Sequence, residues 1–116
     1  MPETSEAPPS LAIVNARVWT NDPRRPWAEA VLVRDGRVLA LGSTAELRKR
    51  AGAEVRVVDA GRRMVVSSKP GGRLNQGDSA DLVLVDDLVS PVPHPEFDEQ
   101  SIMLELSSGR IVRDWD

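Results

Sequence analysis

The length, composition and charge of this chain exclude several classes of protein before any motif is considered. Its 116 residues are enough for one domain with a real core but too few for a (β/α)8 barrel, which takes roughly 200 residues or more. The chain has no cysteine for disulfides or thiolate metal sites, and no apolar run approaches the roughly 18 residues of a membrane span. Its arginines are dispersed rather than clustered, which argues against a nucleic-acid partner. Because the chain has neither cysteine nor a membrane span, we expect a soluble cytoplasmic protein, with a formal net charge of -3. The many aliphatic residues favour strands.

A polar, proline-bearing segment opens the chain and precedes a predicted strand. Residues 1–10 lack the basic start and apolar run of a signal peptide, so we expect a disordered tail there. Apolar residues then alternate from Leu11 to Trp19, which predicts one strand across this range. One face of that strand would carry Ala12, Val14, Ala16 and Val18, and the other face Leu11, Ile13, Asn15, Arg17 and Trp19. Residues 20–26, which hold Pro23 and Pro26, are predicted to form a loop.

The strongest local signal is the dipeptide Asp35-Gly36, which lies between two apolar runs, residues 28–34 and 37–42. A two-residue turn with positive φ at both positions matches the twist of paired strands. This dipeptide therefore predicts a β-hairpin.

A short helix is predicted directly after the hairpin. Ser43 can cap the helix and Glu46 can reach back to the capping residue, which is the spacing of a capping box. The helix should run to about Ala51, and Gly52 should end it. The remaining strands predicted in this half of the chain are Val55–Val57 and Met64–Val66.

A segment of small and flexible residues, Ser67 to Gly72, separates this first half from a second series of predicted strands. Leu74 is a predicted strand position, and the apolar run within Asp81–Asp86 predicts a strand buried on both faces. Residues 88–97 are interrupted by prolines and are predicted to form a loop. The other predicted elements are a turn at residues 77–79 and a second hairpin, with strands Ile102–Leu106 and Arg110–Trp115 around Ser108-Gly109.

The two halves of the chain carry opposite charge. Residues 1–68 hold 11 basic and 8 acidic side chains, whereas residues 69–116 hold 4 basic and 10 acidic ones. Opposite charges favour pairing of the two halves, although a single exposed ion pair contributes little free energy.

Several short motifs follow one another in a definite order along the two halves. They are Asn15-Ala16 with Trp19-Thr20, Asp35-Gly36-Arg37, Asp59-Ala60-Gly61-Arg62, Ala80-Asp81-Leu82-Val83-Leu84 and Gly109-Arg110-Ile111-Val112. In this order they resemble the N- and C-terminal flanks of amidohydrolase-superfamily enzymes, most closely those of the amidohydrolase family 3 type.

This resemblance implies a fold and identifies the catalytic barrel as the part of the family's sequence that this chain lacks. In that family the two flanks form a small β-sandwich beside a metal-dependent (β/α)8 barrel, and the first flank continues into Asp-x-His-x-His. Here Val66 is followed by Ser67-Ser68-Lys69-Pro70-Gly71-Gly72 instead. The resemblance thus implies a single mainly β sandwich domain over residues 11–116, built from an N-terminal half, 11–66, and a C-terminal half, 73–116, joined by the linker 67–72.

The residues that invite a catalytic or metal-binding interpretation each have a simpler structural one. His94 is the only histidine, whereas a hydrolytic zinc site takes about three protein ligands. Lys49 complements the dipole at the end of the predicted helix, and Lys69 lies in the linker. The pair Asp86-Asp87 lacks the residue pattern of a calcium loop.

Serines and glycines give no stronger signal of chemistry. Ser67, Ser68, Ser107 and Ser108 lack a nucleophile elbow and a paired histidine. Neither Gly61-Arg62-Arg63 nor Gly71-Gly72-Arg73 opens a helix after a strand, as a phosphate-binding loop does. We therefore assign no catalytic, cofactor-binding or metal-ligating residue and no cofactor to this chain.

The interpretation that follows is a non-catalytic β-sandwich domain of an amidohydrolase-like enzyme, as an excised or engineered fragment whose partner is the missing barrel. The resemblance implies that the parent enzyme hydrolyses non-peptide C–N bonds with zinc or another divalent metal. Two alternatives stay open: a natural stand-alone binding or interaction module that has lost its barrel, and a small enzyme with a novel site.

Overall fold

A computed structural model of the chain describes residues 10–51, 55–69, 72–86 and 102–114. Within these ranges the chain forms ten strands and one short helix, which confirms the predicted mainly β fold. The elements in chain order are β1 Leu11–Val14, β2 Arg17–Trp19, β3 Trp27–Ala28, β4 Ala30–Arg34, β5 Arg37–Gly42, α1 Thr44–Ala51, β6 Arg56–Asp59, β7 Met64–Ser67, β8 Leu82–Val85, β9 Ile102–Ser107 and β10 Arg110–Asp114. The predicted disordered tail lies, except for Ser10, outside the described residues, as do Gly52 and the proline-rich loop.

Two mixed sheets make up the sandwich. The four-stranded sheet has the order β5-β4-β1-β6, and the six-stranded sheet has the order β10-β9-β8-β7-β2-β3. Both predicted hairpins are present, β4 with β5 and β9 with β10. At the first turn Asp35 and Gly36 have φ of 53° and 78°, and at the second Ser108 and Gly109 have φ of 50° and 79°. These are the positive angles that a two-residue hairpin turn needs.

The buried apolar residues form three layers. The central layer lies between the sheets and includes Leu11, Ile13, Val18, Val31, Val33, Val65, Leu82, Leu84, Leu104 and Leu106. Helix α1 packs its buried Leu47 against the four-stranded sheet, whose residues there include Ala12, Val14, Ala30 and Leu32. The third layer, here called the outer cluster, consists of Met64, Val66, Val83, Val85 and Ile102 with Trp19 and Trp27 packed against them. Because successive strand residues point to opposite faces, Met64 and Val66 lie on the face of β7 away from the central layer.

Helix α1 begins with the predicted Ser43 cap. The Ser43 hydroxyl oxygen accepts a hydrogen bond from the amide of Glu46 at 3.1 Å, which satisfies one of the free amides of the first turn. The helix ends at Ala51 within the described residues, and Arg48, Lys49 and Arg50 occupy its last turn.

The prediction of one strand from Leu11 to Trp19 is wrong. Asn15 has a left-handed φ of 56°, and the chain leaves the four-stranded sheet there and enters the six-stranded sheet at Arg17. The break reverses the alternation of side chains, so Leu11 and Ile13 share the central layer with Val18. A pattern with period two cannot reveal such a reversal, because it assumes that every residue keeps strand geometry.

A second segment crosses between the sheets beside the first one. Strand β6 runs parallel to β1, and β7 runs parallel to β2. Between β6 and β7 the chain turns at Gly61 and Arg62, which have φ of 58° and 72°. The amide of Arg62 donates to the carbonyl oxygen of Asn15 at 2.6 Å, so the two crossings are joined directly.

Leu74 is not in a strand, although it was predicted to occupy a strand position. It is fully buried in the central layer, and its amide donates to the carbonyl oxygen of Thr20 at 3.0 Å. The apolar residue therefore anchors a loop, because a single hydrogen bond to another loop replaces the ladder of a sheet.

The six-stranded sheet contains strands from both halves of the chain. Strands β7 and β8 pair antiparallel, with Ser67 opposite Leu82 and Met64 opposite Val85. Two ion pairs also join the halves, Arg56 with Asp114 at 3.0 Å and Arg63 with Asp86 at 2.7 Å. In both pairs the cation comes from the basic half and the carboxylate from the acidic half.

The two hairpin turns meet at Ala80. The amide of Ala80 donates to the carbonyl oxygen of Gly36 at 2.9 Å, and its carbonyl oxygen accepts from the amide of Gly109 at 3.0 Å. A Cβ atom on Gly109 would lie 2.6 Å from the Cα atom of Gly36. Glycine is therefore needed at residue 109 for space as well as for its positive φ.

Replacing Gly109 by alanine should destabilise the protein more than the same change at Gly77. Both glycines have positive φ, 79° and 92°, and left-handed geometry costs an alanine about 1 to 2 kcal/mol. A Cβ atom added to Gly77 would meet no atom within 4 Å, whereas at residue 109 the contact with Gly36 should add about 1 to 3 kcal/mol to the loss of stability. Urea unfolding of the two variants measures the difference, and equal midpoints would contradict the turn-to-turn contact.

Substitutions at Asn15 should separate backbone strain from side-chain bonding. Asn15→Gly keeps the left-handed φ and loses the side-chain hydrogen bond to Asp59, which should cost roughly 1 kcal/mol or less. Asn15→Val should cost about 1 to 3 kcal/mol more, because a β-branched residue is strained at this φ. Chemical denaturation of both variants tests this order, and a valine variant as stable as the glycine variant would disprove it.

Candidate functional site

The junction between the two halves is the place where the sequence departs from the family it resembles. Strand β7 ends at Ser67, and the hydroxyl oxygen of Ser67 accepts a hydrogen bond from the amide of Lys69 at 3.1 Å. The amide of Gly72 then donates to the carbonyl oxygen of Lys69 at 2.9 Å. The backbone at Gly72 thus lies within one turn of the end of β7, and the chain pairs with β7 again at Leu82.

Asp81 fixes one side of the junction. Its carboxylate lies 3.2 Å from the Lys69 ammonium and accepts a hydrogen bond from the amide of Ser108 at 2.8 Å. Its backbone carbonyl oxygen accepts from the amide of Ser68 at 3.1 Å. Partial burial opposes ionisation, but the bonds from Ser108, Ser79 and Lys69 outweigh it and hold the pKa of the Asp81 carboxyl below its usual value.

The loop from Thr20 to Pro26 fixes the other side. The side-chain amide of Asn21 donates to the carbonyl oxygen of Gly72 at 3.3 Å, and Thr20 accepts from the amide of Leu74. Thr20 is itself fully buried, and its hydroxyl donates to the carbonyl oxygen of Arg25. The returning chain is therefore attached to a loop that the first half has already formed.

A pocket of about 240 Å³ lies beside the junction. Its lining residues are Ser67, Lys69, Gly72, Arg73, Asp78, Ser79 and Asp81. Two of its acids are already engaged: Asp81 pairs with Lys69 across the pocket lining, and Asp78 accepts from the amide of Asn75, outside the lining, at 3.0 Å. The ionisable side chains of the pocket are Lys69, Arg73, Asp78 and Asp81.

A larger pocket, of about 370 Å³, lies at the corner where the two segments cross. It is lined by Asn15, Ala16, Arg17, Trp27, Ala28, Glu29 and Arg62. The side chain of Arg17 donates to the carbonyl oxygen of Arg62 at 3.0 Å, and Glu29 accepts from the amide of Thr44 at 3.2 Å. These bonds hold the corner together.

The corner also determines the state of Asp59. The amide of Gly61 and the side chain of Asn15 donate to this carboxylate at 2.9 Å and 3.2 Å, which holds its pKa below the usual value of 3.8. Asp59 therefore acts as an ionised anchor for the turn at Gly61.

The resemblance raises the question of a divalent metal, for which the described residues offer no ligand set. The parts of the chain that the structure describes contain no group of three or more histidine, cysteine, aspartate or glutamate side chains able to hold an ion. A hydrolytic zinc site takes about three such ligands.

Of the residues considered from the sequence, Ser67, Lys69, Gly72 and Arg73 line the pocket beside the junction, and the other described ones lie elsewhere. Lys49 is exposed in the last turn of α1, Asp86 pairs with Arg63, and Gly61 with Arg62 forms the corner turn. His94, Asp87 and Gly71 lie outside the described residues.

Sequence reasoning missed the importance of Asn15, Asp81 and the tryptophan pair. A signal was present for Asn15, because asparagine is one of the few residues that readily take left-handed φ.

Among the helices of the described residues, none has the length and hydropathy of a membrane span.

Comparison with known proteins adds one family match. Residues 30–52, from β4 through the end of α1, match the imidazolonepropionase-like composite domain of bacteria. A search of curated proteins finds no match.

Several solved structures are similar over about half of the chain. They are an uncharacterized metal-dependent hydrolase from Pyrococcus furiosus (20% identity, 50% of this chain and 13% of that one, TM-score 0.45), another from Pyrococcus horikoshii OT3 (16% identity, 50% and 12%, TM-score 0.41), and molinate hydrolase (21% identity, 53% and 13%, TM-score 0.43). The matched part is thus a small fraction of each of those proteins.

The family match falls on the hairpin and the helix that follows it, which include one of the motifs that carry the resemblance, Asp35-Gly36-Arg37. The resemblance to a composite domain of the amidohydrolase type is thereby confirmed.

Proposed function

We propose that this chain is the non-catalytic β-sandwich domain of an amidohydrolase-like enzyme, and that its role in the parent enzyme is to brace a (β/α)8 barrel inserted at the junction. The parent enzyme would hydrolyse non-peptide C–N bonds with zinc or another divalent metal held by the barrel. The barrel would be the main partner of this domain. The family match supports the domain type, while the bracing role is our own inference.

One observation carries the proposal: the chain leaves and re-enters the sheet at adjacent points. Ser67 is opposite Leu82 in the β7–β8 ladder, and the Gly72 amide bonds to the Lys69 carbonyl oxygen at 2.9 Å. A domain can be inserted without disturbing its host when its two connections leave from neighbouring positions on the host surface. The junction meets this condition.

We also propose that residues 11–116 unfold as one cooperative unit. The pairing of β7 with β8 and the ion pairs Arg56–Asp114 and Arg63–Asp86 support this, since each contact needs both halves. Without the C-terminal half, β7 would be an open edge strand with buried apolar residues on both of its faces.

A barrel inserted at the junction should give a soluble protein with metal-dependent hydrolase activity. The guest would be the barrel of a family 3 type amidohydrolase without its own flanks, placed between Ser67 and Gly72 of the full chain. The same barrel alone should aggregate or lose activity, because it lacks the domain that covers its surface. Solubility, thermal melting and hydrolysis of the parent substrate are measured. A barrel equally stable and active alone would contradict bracing.

The control places equal Gly-Ser insertions at two turns. At the junction, each doubling of the loop length should cost about 0.6 kcal/mol, because closure entropy grows with the logarithm of length. Between Asp35 and Gly36 the same insertion should cost about 2 kcal/mol or more, because it removes the contacts of that turn with Ala80 and Gly109. Equal losses at both sites would show that the junction has no special tolerance.

Absence of a metal site from this chain is a further part of the proposal. Zinc added to the purified chain should leave its melting temperature unchanged, because only a ligand that binds the native state raises stability by mass action. Titration calorimetry should show no stoichiometric binding at micromolar or lower zinc. A stoichiometric heat that disappears in His94→Ala would assign a metal site to the chain and overturn this part.

A further inference from the structure

The most unusual surface feature of the described chain is a pair of partly exposed tryptophans. The rings of Trp19 and Trp27 lie edge to face with their centroids 5.0 Å apart. Both pack against the outer cluster, and neither is fully buried. The whole sequence has only three tryptophans and one phenylalanine, so two of its four aromatic residues lie together on one edge. Tryptophan gives large, rigid contact area and is enriched where proteins bind one another.

This edge is continuous with the junction. Trp19 ends β2, which runs directly beside β7, and Val66 of β7 belongs to the same outer cluster. Trp27 begins β3, the last strand of the six-stranded sheet. The loop between the two tryptophans bonds to the returning chain through Thr20–Leu74 and Asn21–Gly72.

The opposite side of the junction is polar. Lys69 and Asp81 form an ion pair there, and Arg73, Asp78 and Ser79 line the neighbouring pocket. A domain tethered at both Ser67 and Gly72 must rest against one of these two sides, because both tethers leave from one turn. Burying the apolar side gains free energy, whereas burying the charged side requires desolvation of ionised groups.

Resting on the function proposed above, we propose that the surface formed by Trp19 and Trp27 is where the inserted barrel packs on this domain. The matching surface of the barrel is apolar and lies next to its first and last segments. The edge-to-face pair supplies the buried anchor of the contact, and the loop from Thr20 to Pro26 lies between the anchor and the tethers.

The first test uses the chain itself, with Trp115→Phe so that only the two tryptophans fluoresce. Acrylamide should quench both indoles readily, because the proposal leaves this surface open when no barrel is present. Sedimentation should give a monomer. Shielded indoles, or a dimer that dissociates in Trp27→Ser, would overturn the proposal, since the surface would then be covered by the chain or by a second copy.

The second test uses the barrel-inserted protein in the same Trp115→Phe background, with any tryptophans of the guest barrel replaced by phenylalanine. The quenching constant should fall severalfold relative to the chain alone, and the indole emission should shift to the blue. Trp27→Ser should lower the melting temperature more in the barrel-inserted protein than in the chain alone. The matched control is Val112→Ser, at a residue that is 58% exposed on β10 at the far edge of the same sheet. This change should lower the melting temperature of neither protein.

The outcomes separate this inference from the function on which it rests. A folded and active barrel-inserted protein with readily quenched indoles keeps the bracing role and rejects this surface. A barrel-inserted protein that fails to fold, while the Gly-Ser insertion at the junction is tolerated, rejects the bracing role and this surface with it. Equal effects of Trp27→Ser and Val112→Ser would also reject the surface.

Discussion

The hydrogen bond between the Arg62 amide and the Asn15 carbonyl oxygen is the interaction on which the rest of the sandwich depends. It joins two segments that run side by side and pass from one sheet to the other at the same corner. Both residues take left-handed φ, so the backbone turns out of one sheet and into the next without losing its partner. Asp59 strengthens the corner by accepting from Gly61 and from the Asn15 side chain.

Because the corner fixes the strands of the first half, the strands of the second half can add to a sheet that is already formed. Strand β7 leaves the corner with one free edge, and β8 pairs along that edge and extends the sheet to β9 and β10. The turn of the last hairpin then closes on the first hairpin at Ala80. The opposite charges of the halves enter only at the rim, as the pairs of Arg56 with Asp114 and Arg63 with Asp86, where exposed pairs add little free energy.

The sequence revealed most where local chemistry decides the structure. Asp35-Gly36 and Ser108-Gly109 identified both hairpins, because few residues accept the φ values of such turns, and Ser43 identified the start of α1. The predictions of strand at Asn15 and Leu74 were wrong, because a long-range hydrogen bond decides between strand and loop at both residues. The local alternation of apolar residues carries no information about such a bond. The junction was found through the resemblance, whereas the clustering of Trp19 with Trp27 depends on which strands become neighbours.

The short turn between Lys69 and Gly72 also bears on the order in which the chain folds. With this turn in place Ser67 pairs with Leu82 and Met64 with Val85, so the two strands are joined by one loop of moderate length and can pair early. In a protein with a barrel at this point, the same pairing would have a sequence separation larger than the whole present chain, and contacts of that range slow folding. The edge of β7 would then stay open during synthesis until the last segment emerged, which is the condition under which strand edges aggregate. When the halves are joined directly, the period in which the edge of β7 stays open is removed.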